Sequence, residues 1–492
     1  MTPIAAPSIP QIQAQWRELF DYVTGPASGA ATVYQVELHL FRRLLALGAA
    51  LLGLFFASRV ATRPAGPVAA ADGTPLTSHG RRPFTYFSIF GKVVFSRHAF
   101  TAPGQPVVCP VDAELGLPAR CYSDLLREWF TFGAADAPFR VVAALLQRVL
   151  GCSFSVQALE TVTGEDAGDV AAFYEQPPVV PPPAEVVSIL VAQADGKGVP
   201  LVLPPPAERP ARRGKGSPSN RLREAVVTAL YSILPYRRTP AEVAAALLRE
   251  ADRPEPRNRP RPVGKELRAT LDGKDVALER LAGRVQQRES AQIQDRVALT
   301  DGAAALQERM RSYLPGFTLV LDIIHVTEYL WDAANAVLGE RHPERTDWVR
   351  DHLVALLSGR TDDVVTALEV AAAEPERTTA QQAAVQRTIG YYRRNAPYMQ
   401  YDQYLARGWP IGTGVVEGAC GHLVKDRLEQ AGMRWTKDGA HAVLDLRAVR
   451  LTDDWDAYWV FHRQREHRRL YGSAPPLAAP PEDQALTQNA AA

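Results

Sequence analysis

Cysteine is scarce in this chain of 492 residues: four, at Cys109, Cys121, Cys152 and Cys420, with no Cys-x-x-Cys pair and no histidine at finger spacing. That scarcity excludes a structural zinc finger and a disulfide framework, and fits free thiols in a reducing cytoplasm. An excess of either charge is also lacking. Lys+Arg number 55 against 54 Asp+Glu, for a formal net charge of +1. Attraction to nucleic acid by overall charge is therefore excluded, and any such binding has to come from local patches. A full membrane span is missing too. Leu44 to Ser58 (LLALGAALLGLFFAS) is apolar between Arg43 and Arg59, but at about 15 residues it falls short of the ~20 that a span requires. No small-residue cleavage site stands where a signal peptide needs one. The expectation is a buried helix and no membrane.

Basic patches are present despite the neutral total. One is Arg209, Arg212, Arg213, Lys215, Arg221 and Arg223 in a Pro/Gly/Ser-rich stretch. A second runs from Arg253 to Arg268, and a third from His462 to Arg469. Each suits phosphate contacts through charge alone, and each suits a solvated face equally well.

Breakers and periodicity divide the chain. Residues 1–80 form a helical region ending in a loop around Pro64–Pro75. Within 81–176, a short β-like stretch (Phe84 to Phe100, turning at Gly91) precedes helical patterns. There FRVVAALLQRVLG and SVQALETVTG, with Ser155 as N-cap, have the form of a helix-turn-helix in a DNA-binding region. QPPVVPPP at Gln176–Pro183 is the clearest boundary. After it, EVVSILVAQADGKGVPLVL reads as a β-hairpin with an Asp-Gly-Lys-Gly turn, and AVVTALYSIL as a further strand. Residues 240–293 read as helical and charged. RVALTDGAAAL and TLVLDIIHVTEYLWDAANAVL each read as a strand running into a helix. The core thus spans 177–326, a helical segment 327–405, and a closing segment 406–472. The Pro/Ala-rich tail 473–492 reads as disordered. Strands interleaved with helices make this an α/β chain.

Acidic residues at strand ends carry the chemistry. Asp195 and Asp301 each close an apolar strand, and Glu417 heads a helix opened by Gly412 and Gly414. A lone carboxylate at a strand end is ordinarily a turn or cap residue. Three in the order strand, strand, helix can instead converge on hard cations, which take oxygen ligands. Asp322 also ends a strand, three residues before His325, and competes with Asp301 for the second position. Lys197, His422 and Lys425 are candidates to contact phosphate, with solvated lysines and a solvated helix face as the ordinary alternative. Trp409 and Trp435 read as core residues before base-stacking ones.

Several blocks, taken in order, carry a family resemblance: QADGKGVP, REAVVTALYSILPYRRTP, LTDGAAAL, LDIIHVTEYLW, GWPIGTGVVEGACGHLVKDRLEQAGMRW and GAHAVLDLRAVRLTDDWDAYWVFH. From about Thr85 to Tyr471 the chain resembles bacterial insertion-sequence transposases of the Kra type, relatives of the Mutator-like DDE transposases. The resemblance implies an RNase H-like catalytic domain with a helical insertion, preceded by a mainly helical DNA-binding region. It maps the catalytic, metal-binding triad onto Asp195, Asp301 and Glu417, with Asp322 and His325 in support. The 327–405 helices account for the gap of about 116 residues between Asp301 and Glu417. It further implies Mg²⁺, with Mn²⁺ as substitute, and DNA partners comprising terminal inverted repeats and target. A homodimer or larger assembly on DNA, in a nucleoid-associated cytoplasmic setting, completes the expectation. An RNase H-like nuclease that cuts without joining, and a non-catalytic DNA-binding regulator, remain the alternatives.

Overall fold

The structure is a computed structural model that describes residues 8–61, 64, 66–70, 72–176, 188–202, 222–250, 258–430 and 432–472. Of the basic residues singled out above, Arg209, Arg212, Arg213, Lys215, Arg221 and Arg253 lie outside them, as do residues 177–183 of the Pro-rich boundary and the tail 473–492. The chain divides into two compact units, Val170–Trp455 and the remainder on either side of it. Residues 406–472 are thereby shared between the units, dividing after Trp455.

In the first unit, helices α1 (Ile9–Thr24), α2 (Pro26–Gly29) and α3 (Val33–Val60) precede the strands β1 (Val68–Ala69), β2 (Pro75–Ser88) and β3 (Gly91–Thr101). β2 and β3 pair antiparallel from Thr77↔Thr101 to Ser88↔Gly91. Phe56 of α3 stacks on Phe95 at 4.1 Å between centroids, which seats the C-terminal half of α3 on this hairpin. The expected burial of residues 44–58 is only partly met. Leu47, Gly53 and Phe56 are buried, whereas Leu44, Leu51 and Phe55 remain about half exposed. One side of the helix has the hairpin and α1 to pack against; among the described residues of this unit the other side is left largely uncovered.

Helices α4 (Pro110–Leu115), α5 (Asp124–Asp136), α6 (Phe139–Leu150) and α7 (Val156–Ala167) follow. The predicted pair of helices is present. α6 ends at Gly151 in the left-handed region (φ 69°), and the Ser155 hydroxyl accepts the Ala158 N–H at 3.1 Å as N-cap of α7. The second helix of the pair, VQALETVTGEDA, nevertheless carries three carboxylates and no lysine or arginine, which is poor chemistry for a helix entering a DNA groove.

The second unit is built on one mixed sheet. After α8 (Val170–Tyr174) come β4 (Ile189–Pro200), β5 (Leu222–Ile233), α9 (Pro240–Leu247), β6 (Val263–Thr270), α10 (Lys274–Arg288), β7 (Asp295–Thr300), α11 (Ala304–Tyr313) and β8 (Thr318–Leu321). The strand order is β6-β5-β4-β7-β8. β5 lies antiparallel to both β4 and β6, while β7 and β8 run parallel to β4. This mixed α/β architecture is compatible with an RNase H-like domain. Both faces are covered, which explains the near-continuous apolar run of β4. Ile189, Val191, Val297 and Leu299 point to one core. Leu190, Ala192 and Ala298 point to the other, beneath α10 and α11.

Two sequence readings are corrected here. The segment around Asp195 is no hairpin but one twelve-residue strand, paired with β5 from Ile189↔Ile233 to Pro200↔Leu222. Its glycines make no turn: Gly196 lies against the Glu224 side chain, whose carboxylate is 2.3 Å from where a Cβ would be, and Gly198 has ordinary contact with Leu222. The stretch 240–293 is not wholly helical either. It contains β6, whose polar residues Lys265, Glu266 and Arg268 mask its strand character.

From β8 the chain enters α12 (Ile323–Val337), α13 (Arg345–Leu357), α14 (Thr361–Ala372), α15 (Thr379–Asn395) and α16 (Tyr401–Arg407). These helices share a core with one sheet face rather than forming a separate body. α17 (Gly414–Ala419) continues through a π-helical turn (Cys420–Lys425) into α18 (Asp426–Leu428), and α19 (Lys437–Leu451) follows.

The final helix, α20 (Trp455–Tyr471), belongs from Asp456 onward to the first unit, where a buried ionic network holds it. Arg127 of α5 donates to Glu466 at 2.7 and 2.8 Å and to Asp166. The carboxylate of Asp169 takes His462 at 2.8 Å, Arg465 at 3.0 Å and Arg469 at 2.7 Å. The third basic run of the sequence is thus largely spent on internal partners. Burial pulls the His462 imidazole down, but hydrogen bonds and charge from Asp166 and Asp169 outweigh it and raise it to about 9. Its folded value exceeds its ordinary 6.5. The stabilisation is therefore complete below about pH 6.5 and lost as pH rises through about 9. Melting of the full chain is expected to lose stability between pH 7 and 10. The His462→Gln variant should be less stable at pH 7 and show a flatter slope over that interval; an unchanged slope would contradict the assignment.

Candidate active site

The site forms where the parallel part of the sheet ends. β4 and β7 pair in register up to Gln193↔Leu299, so Asp195 and Asp301, each two residues further on, stand at the same level of adjacent strands. β7 and β8 pair up to Thr300↔Leu321, so Asp322 stands beside Asp301. Asp195 lies mid-strand with respect to β5, yet just past its last β7 partner. Alternation along a strand puts Asp195 on the same face as Val191 and Gln193, the face covered by the helices that follow β8.

Gln193 was not singled out in the sequence. It is fully buried and ties that face to the Glu417 segment. Its carboxamide oxygen accepts the Val416 N–H at 2.9 Å, while its nitrogen donates to the Tyr231 hydroxyl at 3.0 Å and the Gly412 carbonyl at 3.3 Å. A lone glutamine inside an apolar strand (ILVAQA) was the available signal, because a buried carboxamide needs partners.

Asp322 is the other tie. It is fully buried, and its carboxylate accepts three hydrogen bonds: the His325 N–H at 3.1 Å, the His325 ring Nδ1 at 2.7 Å, and the Thr413 N–H at 2.9 Å. It therefore caps α12 and pins the loop that leads into Glu417. The hydrogen bond from Asp322 raises the His325 imidazole to about 9, against a smaller opposing effect of burial. Asp301 contributes to the same rise through its charge.

Glu417 begins one turn beyond that loop, and its carboxylate accepts the Thr413 hydroxyl at 2.6 Å. Asp322, His325 and Glu417 each bring one ligand atom within 4.8 Å of the others, a grouping able to hold a metal ion. No such group among the described residues includes Asp195 or Asp301. Asp195 has one oxygen on the Gly196 N–H at 2.6 Å and the other 3.4 Å from the Cys420 thiol. Burial and the Asp195 carboxylate push that thiol far above its ordinary range; it remains a neutral neighbour. Asp301 accepts the Ala303 N–H at 3.0 Å, and its carbonyl accepts the Tyr391 hydroxyl at 2.9 Å. Gly302 follows at φ 91°, where a Cβ would lie 2.7 Å from that hydroxyl, so only glycine fits.

The remaining sequence candidates are dispersed. Lys197 lies in β4 rather than in a turn, and its ammonium is 3.5 Å from Glu429. His422 and Lys425 are exposed on the π-helical turn, where the wider winding changes their relative directions, and His422 pairs with Asp426 at 3.0 Å. π-turns are rare and concentrate at functional sites. Trp409 is buried and stacked on Tyr404 at 5.6 Å, and the Trp435 ring nitrogen donates to the Leu428 carbonyl at 3.2 Å. Both are core residues.

No family model and no curated protein matches this chain. Among solved structures, a Drosophila P element transposase strand transfer complex aligns with 70% of this chain and 83% of that chain, at 8% identity and a TM-score of 0.25. A likeness that slight bears on neither fold nor activity.

Two substitutions test the ties. Gln193→Ala leaves the buried Val416 N–H and Tyr231 hydroxyl without their partner and is expected to cost about 1–3 kcal/mol in chemical denaturation; an unchanged midpoint would remove the role assigned to it. Asp322→Asn should return the His325 imidazole from about 9 toward 6.5, followed by NMR titration of the histidine ring protons. A titration still centred near 9 would mean that another group holds the proton.

Proposed function

We propose that the chain is a DDE-type transposase, a metal-dependent polynucleotidyl transferase that cleaves the ends of a bacterial insertion sequence and joins them to target DNA. The observation that supports it most is the placement of Asp195 and Asp301 at one level of adjacent parallel strands, with the Glu417 segment tied to the same sheet face. The sequence blocks that surround these three residues point the same way.

Three half-buried carboxylates offer hard oxygen ligands of the kind divalent magnesium or manganese takes, although only Glu417 of the three belongs to the grouping within 4.8 Å, with Asp322 and His325. Asp195, Asp301 and Glu417 would hold the ions, which when bound activate an attacking hydroxyl and stabilise the leaving oxygen of a phosphodiester. Asp322 and Gln193 position the carboxylates by fixing the Thr413–Val416 turn to the strand ends. His325, held protonated by Asp322, presents positive charge beside the site, where it can meet a phosphate oxygen of the DNA. The DNA itself would be met through local cationic residues, because the chain as a whole is neutral.

The test uses the purified full chain, Mg²⁺, and a plasmid carrying the DNA that flanks its own gene. Cleavage and joining are expected, and Asp195→Ala, Asp301→Ala and Glu417→Ala should each reduce cleavage at least about 10²-fold while DNA binding persists. Undiminished cleavage in all three variants would refute the triad. Cleavage without joining of pre-cut ends would favour a nuclease, and metal-independent binding without cleavage a regulator.

A further inference from the structure

The N-terminal helices expose an apolar face that the site does not use. α1 and α3 form an antiparallel hairpin: Tyr22 stacks on His39 at 3.9 Å, Glu18 pairs with Arg43 at 3.3 Å, and Ile12 and Leu19 share a cluster with Leu47. Beside this packed seam, α1 leaves Trp16 58%, Phe20 64% and Val23 49% exposed. On α3, Phe41, Leu44, Leu51 and Phe55 are 42–50% exposed.

The two exposed sets lie on one side of the hairpin. Each residue follows a position of the packed seam by one: Phe20 after Leu19, Val23 after Tyr22, Phe41 after Leu40, Leu44 after Arg43, Phe55 after Leu54. One residue is a rotation of about 100°. Seen from one end, that rotation is clockwise in one helix and anticlockwise in its antiparallel neighbour, so both sets turn to the same side. The gap in the series at Gly48 is filled by Phe90, whose ring lies where a Cβ on Gly48 would be.

The spacing identifies the occupant. Steps of three and four residues (16, 20, 23 and 41, 44, 48, 51, 55) give the 3.5-residue period of a helix-bundle seam. α3 is long and apolar enough to cross a membrane, but its C-terminal half is seated on the β2–β3 hairpin and its first half on α1, so a span would have to carry both, with the exposed Gln11, Gln13 and Arg17 of α1. Aromatic and aliphatic side chains at about half exposure leave on the order of 800 Å² of apolar area, about what each partner contributes to a standard interface. Two helices bearing the same period side by side can meet an identical pair by two-fold rotation, closing a four-helix bundle.

We propose that this face joins two copies of the chain through paired α1–α3 hairpins, independently of what the carboxylate site does. The full chain at micromolar concentration should have twice the monomer mass by size-exclusion chromatography with light scattering. Phe20→Glu combined with Leu44→Glu should give monomer, whereas Ala46→Glu, on the exposed far side of α3, should remain dimeric. Circular dichroism checks that each variant is folded. If the double glutamate variant does not fold, the milder Leu44→Ala with Leu51→Ala should weaken dimerisation at least tenfold. A monomeric parent, a dimer insensitive to the stripe substitutions, equal loss in Ala46→Glu, or a monomer that floats with phosphatidylglycerol/phosphatidylcholine vesicles would each overturn the proposal.

Discussion

A buried carboxylate organises the second unit. Asp322 sits at the end of β8 with no exposed surface, and three nitrogen donors converge on it. Two come from His325, in the first turn of the following helix, and one from Thr413, ninety-one positions along the chain. An ionised carboxylate is tolerated in an apolar interior only with such partners. The consequence is mechanical. The strand end, the start of α12 and the turn before Glu417 are held to one another, and Glu417 has a defined place relative to the sheet.

The sheet supplies the rest of the geometry. Parallel strands finish at a common edge, and open α/β sheets generally bind ligands at the carboxyl ends of such strands. Asp195 and Asp301 occupy that edge because β4 and β7 share register, and Gln193, two residues before Asp195, anchors the Glu417 segment from the strand side. The helices between β8 and α17 enclose the same edge. Tyr391 and Tyr401 from those helices donate to the carbonyls of Asp301 and Leu321 at 2.9 Å each. Backbone groups left over where the strands stop are thus satisfied by side chains.

Part of the charge in this protein is spent on internal pairs. The basic run near the C-terminus looks in the sequence like a surface for phosphate, yet His462, Arg465 and Arg469 close on Asp169. Arg284 makes a comparable buried pair with Glu266 at 2.8 Å. Cations held in such pairs are not available to phosphate, so DNA would have to be met by other, exposed basic residues.

Local pattern settled much of this in advance. The apolar runs ending in Asp301 and Asp322, the helices after them, and the Ser155 cap are short-range features, decided within a few residues by periodicity and capping chemistry. The strand through Asp195 reads as a hairpin because Asp-Gly-Lys-Gly has turn composition, whereas unbroken pairing with β5 from Ile189 to Pro200 keeps it extended. β6 escaped notice because an outer strand with charged residues has no apolar signature of its own. What the sequence by itself determined is which residues can do chemistry and which segments are helix or strand. Tertiary structure alone decided which carboxylates share an edge, which one is buried as an anchor, and which basic residues are already paired. Those outcomes depend on register and on partners tens to hundreds of positions away, and no local pattern encodes them.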